Sequence, residues 1–566
     1  DIGLIHAKAA HTAGRGTPAG LACYHSTAMD GMYYVQSLLA CGQRVDEACR
    51  GLDTILRNQD IDPESETYGH FRWYVEDERV PDRNGTFFTV QGLLVIDLFY
   101  RNLIGEKLGS KIEEACSLSL YKKFLPHCPP VGWTNAFIGD NFLAAVLAEQ
   151  LEDKDALDIV RENLERFYRL NFEHGMVERI SPCYYGTTVP LTALAVGKVR
   201  DPRIRRIARE LLDTLLLEFG FFDHRMPIPA CRTYSGNGEA WNFLFLAWPL
   251  GLNPMSVAQL AERGWLHGSA VSIWHALASG NLQDRNLSSL PAPRILEGRF
   301  PKEGAVYSYY HRDFTLGCFT SYPESNGEIQ DAYDIPAGFS GDGNNLGLLG
   351  HAFQQTDGSW MGVPLRLELG DTDENFKKLR ADAGMEFRHV AHQHENVLIW
   401  LAHLNGVDTS LRSLGTTLRV PQFTGLAYDE HGSPREGDGG WLDSGWVFLV
   451  TKYARFGIRS LQRTLLEEEL PGFGRTTWHQ RPSDPSTIRP YPGAWHAHAE
   501  PSSISPFAEP NRRFGLFFPN FECGEPTAIR RRSIVAGAVI MAAGREVEPA
   551  RFMENCRALE ISEKWS

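Results

Sequence analysis

No run of about 18 apolar residues occurs in this sequence, so no membrane-spanning helix is expected. The opening residues lack the basic-then-apolar order of a signal peptide. A signal removed before the chain begins would favour a secreted or periplasmic location, and a cytoplasmic one stays open. The 10 cysteines are scattered and never form a C-x-x-C pair, which excludes a disulfide scaffold and leaves buried free thiols as the expectation. Residues 338–350 are rich in glycine, yet no Gly-Lys-Ser/Thr follows, so a phosphate loop is excluded. Positive charge is in deficit: 56 basic against 70 acidic residues leave a net charge of −14. That balance argues against nucleic acid or an anionic membrane as the main partner, while allowing a local basic pocket for an acidic ligand. Strong self-similarity is also missing, so a sequence-repeat solenoid is not expected.

What is present is ample. A chain of 566 residues with 43% hydrophobic content should form two or more domains. Residues 28–277 read as helices in pairs: 28–40 with 45–56, 87–100 with 112–124, 136–151 with 156–170, 190–199 with 204–219, and 240–250 with 255–278. Each shows the i, i+3, i+4, i+7 spacing of a half-buried helix. Short Gly, Asp and Pro connectors join the members of a pair, and longer polar loops join one pair to the next. Such pairs predict an (α/α) toroid over residues 1–285, with the long loops gathered at one end as a cleft. Residues 286–300 read as a polar, Pro-bearing linker. Residues 301–566 carry short period-two apolar runs (306–310, 314–320, 395–401, 445–453, 458–466, 513–518, 533–541), predicting an antiparallel β-sandwich. The expected fold class is therefore α+β and multidomain.

Chemistry-bearing residues concentrate at the loop–helix junctions of the first half. The stretch 223–241 places His224, Arg232, Tyr234, Glu239 and Trp241 on a loop broken by two prolines and two glycines. Four further segments share that position and mix aromatic, amide and charged side chains: His25 with Asp30; His70, Arg72, Trp73 and Asp82; Trp133, Asn135 and Asp140; and Tyr184 with Tyr185. Helix starts expose backbone N–H groups and favour anions. Helix capping and loop packing would use the same residue types. In the second half, Tyr310 and His311 form a segment able to reach a ligand. His392 and His394, in Arg388-His389-Val-Ala-His392-Gln-His394-Glu395, would share one face of a strand and suggest Zn or Ca.

A helical toroid followed by an antiparallel β domain, with Asn, His, Tyr and Arg on the toroid loops, resembles polysaccharide lyases of the chondroitin/alginate type, including the heparinase II/III-like branch. The resemblance covers most of the chain in architecture. It implies β-elimination on a uronic-acid-containing glycan: the C5 proton leaves, the C4–O bond breaks, and an unsaturated sugar remains. In that group an Asn at a helix start helps neutralise the uronate carboxylate, and Trp133-Thr-Asn135 with Ile138-Gly139 matches that motif in part. A His and a Tyr from a later inter-helix loop handle the proton. His224 and Tyr234 are the nearest match, and Tyr184 and Tyr185 compete for the Tyr role. Asn135, Arg232 and His25 would stabilise the charge that develops on the carboxylate. Tyr234, Tyr185 and His224 would act as base and acid. His25, His70, Arg72, Trp73, Tyr184, Glu239, Trp241, Tyr310 and His311 would bind an acidic oligosaccharide or polysaccharide. No cofactor is required for this chemistry, and any Zn or Ca would sit at His392 and His394, since heparinase II/III-like proteins place a metal in the β domain. Two other readings stand beside it. One is a toroid glycoside hydrolase using two carboxylates among Asp30, Asp82, Asp140 and Glu239. The other is a non-catalytic glycan-binding protein.

Overall fold

A computed structural model describes residues 2–7, 10, 12–14, 16–176, 184–222, 230–231, 291–300, 304–319, 346–347, 349–354, 360–369, 386–405, 414–419, 425–434, 445–465, 513–517 and 533–559. Its first half is helical: α1 (Met29–Ala40), α2 (Val45–Arg57), α3 (Asn84–Ile104), α4 (Glu106–Ser119), α5 (Thr134–Gln150), α6 (Lys154–His174), α7 (Tyr185–Lys198) and α8 (Pro202–Phe222). The helices pack as four consecutive hairpins, α1 on α2, α3 on α4, α5 on α6 and α7 on α8. The odd-numbered helices also pack against one another in chain order and form an inner row. Within the outer row, α2 meets α4 and α6 meets α8.

The sequence explains the two rows. Outer helices carry one apolar stripe: α2 buries Ala48, Leu52 and Ile55, and α6 buries Ala156, Val160, Leu164 and Phe167. Inner helices are apolar nearly all round, as α5 shows by burying every residue from Ala136 to Glu149. Small residues let the inner row close up, because a Cβ at Gly92 would overlap Met32 and one at Gly139 would overlap Phe87. The α6 start is capped by Asp153, whose side chain accepts from the Ala156 N–H at 3.0 Å. The sequence contains no long purely apolar run, yet α3 is long and apolar enough by length and composition to cross a membrane. Its burial between neighbouring helices accounts for that composition as core. The fifth expected helix pair lies outside the described residues, and so does any closure of the row into a ring.

The second half is antiparallel β, as expected. Its strands are β4 (Arg294–Phe300), β5 (Gly304–Tyr310), β6 (Phe314–Phe319), β8 (Leu349–Gln354), β9 (Trp360–Leu369), β10 (Glu386–His394), β11 (Val397–Asn405), β12 (Leu414–Arg419), β13 (Gly425–Tyr428), β14 (Trp446–Thr451), β15 (Ala454–Leu465), β16 (Arg513–Phe517) and β17 (Ser533–Gly544). One sheet has seven strands in the order β16-β12-β9-β8-β6-β5-β4, and the other has six in the order β10-β11-β17-β15-β14-β13. Two-residue ladders join β1 (His6–Ala7) to β2 (Tyr24–His25), and β3 (Ala230–Cys231) to β7 (Leu346–Gly347). A short helix, α9 (Pro549–Arg557), buries Phe552, Met553 and Cys556 against Trp446 and Phe448.

Two expectations need correction. Arg294–Phe300, read as the end of a linker, is the edge strand β4, paired with β5 from Arg294↔Tyr310 to Phe300↔Gly304. Its prolines lie before the strand, where they take no hydrogen bond from the ladder. The run expected over 395–401 begins two residues later, because Glu395, at φ 47°, forms the turn between β10 and β11 with Asn396. The two sheets meet through β6 and its neighbours: Gln393 Nε2 donates to the Leu316 carbonyl at 3.0 Å, and the Glu395 N–H donates to the Tyr307 hydroxyl at 3.1 Å. The helical core also runs into the seven-stranded sheet, taking in Val306, Tyr310 and Phe319. Cys23, Cys41, Cys49, Cys116, Cys128, Cys318 and Cys556 are free thiols, as expected, but of these only Cys116, Cys318 and Cys556 are buried.

Candidate functional site

Successive inner helices begin at the same end of the helical row, and hydrogen bonds between their approach segments hold the first two together. The Thr27 N–H donates to the Trp73 carbonyl at 2.8 Å, and the Phe71 N–H donates to Thr86 Oγ1 at 2.9 Å. These bonds tie the start of α1 to the start of α3 through the 58–77 loop. Asn58 fastens the same point, its Nδ2 donating to Thr27 Oγ1 at 2.8 Å and to the Tyr74 carbonyl at 3.1 Å. Asp60 braces the far side of the loop by accepting from Ser65 Oγ and Thr67 Oγ1, at 2.6 and 2.7 Å. Gln59 reaches the Gly69 and Ala115 carbonyls. His70 is thus carried on a rigid loop rather than a floppy one.

His70 is fully buried. Its Nδ1 lies 3.4 Å from Thr86 Oγ1, and its Nε2 has no hydrogen-bond partner among the described residues. Burial pushes the imidazole down to about 3, and the charges of Lys123, Arg83 and His127 push the same way. His127, exposed at the rim, has its ring 6.2 Å from that of His70. It too is pushed down, by partial burial and then by Arg83 and Lys123. The last turn of α4 widens into a π-turn, Leu120–Phe124, which directs Lys123 inward. Such turns are frequent at functional sites. Lys123 pairs with Asp140 of α5, and both side chains are almost wholly buried. Burial raises the Asp140 carboxyl to about 6 against the pull of Lys123, and its Oδ1 has no partner among the described residues. Arg72 Nε and Thr134 Oγ1 share that condition. The result is an end set over helix starts where exposed Arg83 and His127 and half-buried Arg72 lie near the buried His70 and Lys123–Asp140 pair.

The predicted residues divide sharply here. His25, Arg72, Asn135 and Tyr184 are half-buried around the helix starts, open enough to meet a ligand. His70, Trp73 and Tyr185 are closed off from solvent. Trp73 packs on Phe88 with ring centroids 5.5 Å apart, so it is core rather than a stacking platform. Tyr185 donates its hydroxyl to Glu218 inside the helical core. Tyr310 is buried at the seam between helices and sheet, with the Arg294 guanidinium 3.6 Å above its ring and Phe221 at its edge. Burial thus removes His70, Trp73, Tyr185 and Tyr310 from direct contact with a ligand. His311 stacks on Phe314 at 4.8 Å and has Glu546 at 3.5 Å. His392 and His394 do share one exposed face of β10. Among the described residues, however, no group of three or more His, Cys, Asp or Glu gathers to hold a metal ion. His224, Arg232, Tyr234, Glu239 and Trp241 lie outside the described residues.

Of the carboxylates weighed for hydrolysis, Asp140 is sealed against Lys123, and Asp82 accepts the N–H of Asn84, the first residue of α3, at 2.8 Å. Sequence reasoning missed Lys123, His127 and Glu76. The Lys123–Asp140 pair joins different helices and leaves no local pattern. His127 sits in the expected long loop beside a proline-rich run, which was the one available signal.

No family model matches the chain, and no curated protein matches it in sequence. Among solved structures it is similar to the Streptomyces coelicolor A3 chondroitin AC lyase in complex with chondroitin sulphate, with 11% identity over 92% of this chain and 75% of that one, and a TM-score of 0.39. It is also similar to heparinase III, with 10% identity over 92% of this chain and 78% of that one, and a TM-score of 0.44.

Proposed function

We propose that the protein is a polysaccharide lyase that cleaves a uronic-acid-containing glycan by β-elimination. One observation carries the reading: in an acidic chain, exposed Arg83 and His127 and half-buried Arg72 stand where the inner helices begin, over the buried His70 and the Lys123–Asp140 pair, and Arg83 with Lys123 pushes both imidazoles toward the neutral form. Positive charge and helix N-termini there suit a carboxylate. The C5 proton of a uronate becomes removable only when charge building on that carboxylate is stabilised, and such an end supplies the stabilisation. Asn135, at the start of α5, and Arg232 are the donors of this reading. Tyr234 and His224 handle the proton as acid and base, and the burial of Tyr185 favours Tyr234 over it. Glu239, Trp241 and Tyr184 line the sugar-binding path. A Zn or Ca ion at His392 and His394 remains part of the proposal for the β half and takes no part in the chemistry.

Product analysis on a panel of acidic glycans tests this. The wild-type protein should generate the ultraviolet absorbance of an unsaturated uronate together with new chain ends. New reducing ends without that absorbance would mean hydrolysis, and binding without cleavage would mean a lectin-like protein.

A further inference from the structure

The β1–β2 ladder sets His6 opposite His25, with ring centroids 6.2 Å apart. On its other side, the chain at His25 is laid against residues 73–75. The Val75 N–H donates to the His25 carbonyl at 3.0 Å, and Ser26 bridges Tyr74. Glu76 comes next, and buried Asp77 fastens the turn that aims it. Asp77 Oδ2 accepts from the Trp73 and Tyr74 N–H groups at 2.9 and 3.1 Å, and Oδ1 accepts from Thr17 Oγ1 at 2.5 Å. Glu76 then holds His25 at two points. Its Oε2 accepts the His25 N–H at 2.9 Å, and its Oε1 lies 2.6 Å from Nδ1. The His25 side chain keeps 26% of its surface exposed, unlike the sealed His70.

An ionised carboxylate only accepts hydrogen bonds, so the Nδ1 facing Glu76 carries the proton. When the ring is neutral, this leaves its lone pair at Nε2. We propose that Glu76 is a positioning residue that fixes His25 in this tautomer, making His25 Nε2, in place of His224, the group that accepts the proton, rather than a donor to the substrate carboxylate. The proposal rests on the lyase reading. In the step it implies, Nε2 takes the C5 proton and the C5–H electron pair becomes the C4=C5 double bond. The C4–O pair departs with the glycosidic oxygen, which takes a proton from the tyrosine acid of the proposed reaction. The imidazolium gives its proton up to solvent and the tyrosinate takes one from solvent, closing the cycle. The backbone clamp around residues 73–77 supplies the rigidity that such a group needs.

Two measurements test it. In nitrogen-15 spectra of histidine-labelled protein, the His25 signals are those that vanish in His25→Ala. They should show the neutral ring protonated at Nδ1, and Glu76→Gln should abolish that preference. A wild-type ring protonated at Nε2, or an unchanged tautomer in Glu76→Gln, would overturn the positioning role whether or not the protein is a lyase. In turnover on a cleaved glycan, His25→Ala should lose about 10²–10⁴-fold in kcat, with partial rescue by added imidazole. Glu76→Gln should lower kcat by about 10²-fold or more with KM within a few-fold, as expected when the group orienting a catalytic imidazole is neutralised. Full kcat in His25→Ala would overturn the proton-transfer role. A wild-type protein that cleaves nothing by elimination would instead overturn the lyase reading, and the spectra would still decide what Glu76 does.

Discussion

Two regions of this molecule are rich in His, Arg and Asp, and they treat those residues in opposite ways. At the sheet seam, Asp313 is saturated: Arg545 gives it a backbone N–H at 2.9 Å, Nε at 2.9 Å and a second guanidinium nitrogen. Burial pushes the Asp313 carboxyl up, but the hydrogen bonds and charge of Arg545 together hold it below its ordinary range. Arg294 is likewise spent on the Phe221 carbonyl and the Tyr310 ring. At the start of the inner helices, by contrast, His70 Nε2, Asp140 Oδ1, Arg72 Nε and Thr134 Oγ1 are buried without partners among the described residues. Buried polar groups that are fully paired build structure, whereas those left unpaired call for another explanation, a catalytic role among them. The contrast is one of degree, since Gln393 Oε1 and Arg455 Nε in the β half are also buried without partners among the described residues, and the helical end is where the lyase proposal draws its chemistry.

The largest expected effect separates two tyrosines. Tyr234→Phe should remove nearly all elimination while leaving glycan binding within a few-fold. Tyr185→Phe should keep its kcat and instead lose about 1–3 kcal/mol of stability, because Glu218 is left without that hydroxyl. Loss of activity in Tyr185→Phe alone would reverse the assignment. Next comes Lys123→Met, which strands the Asp140 carboxylate inside the protein. Chemical denaturation should show a cost of about 3–5 kcal/mol, much of it recovered in Lys123→Met/Asp140→Leu. Asn135→Ala and Arg232→Ala should each cut turnover by on the order of 10² with the fold retained. Normal kinetics in both would end their role as carboxylate donors.

A smaller effect follows from pH. His70 titrates at about 3 in the folded chain against an ordinary 6.5, so the unfolded chain takes its proton first as pH falls. The stability from keeping this ring neutral is present above 6.5 and is lost as pH falls toward 3. Asp140, raised from 3.8 to about 6, has the opposite sign: its contribution is present below 3.8 and is lost as pH rises through about 6. Denaturation of wild type and His70→Asn should therefore give a stability gap that narrows on acidification from about 6.5 to about 4. A gap independent of pH would mean that His70 is not held neutral.

The helices were legible because their periodicity is local. The outer stripe of α2 and the largely apolar α5 announce an exposed row and a buried one. Strands were legible where alternation was clean, as at β5 and β6. They were missed at β8, β12 and β13, at β4, where a proline-bearing approach masks the strand, and at β9, which has Pro364 within it. Of the site, the segments around His25, His70 and Asn135 stood out because polar and aromatic residues crowd the helix starts. What could not be read was accessibility. His70, Trp73 and Tyr310 look like ligand contacts in sequence and are buried in three dimensions. Nor could long-range partners be read: Lys123 finds Asp140 across a π-turn, and Glu76 finds His25 across 51 residues.

The measurement that tests the account most directly compares elimination rates of variants from the two regions on one uronate glycan. His25→Ala at the helical end should lose about 10²-fold or more in turnover, whereas His392→Ala/His394→Ala on β10 should stay within a few-fold of wild type. Retained turnover in the first variant with collapse in the second would place the chemistry on the sheet and contradict the assignment made here.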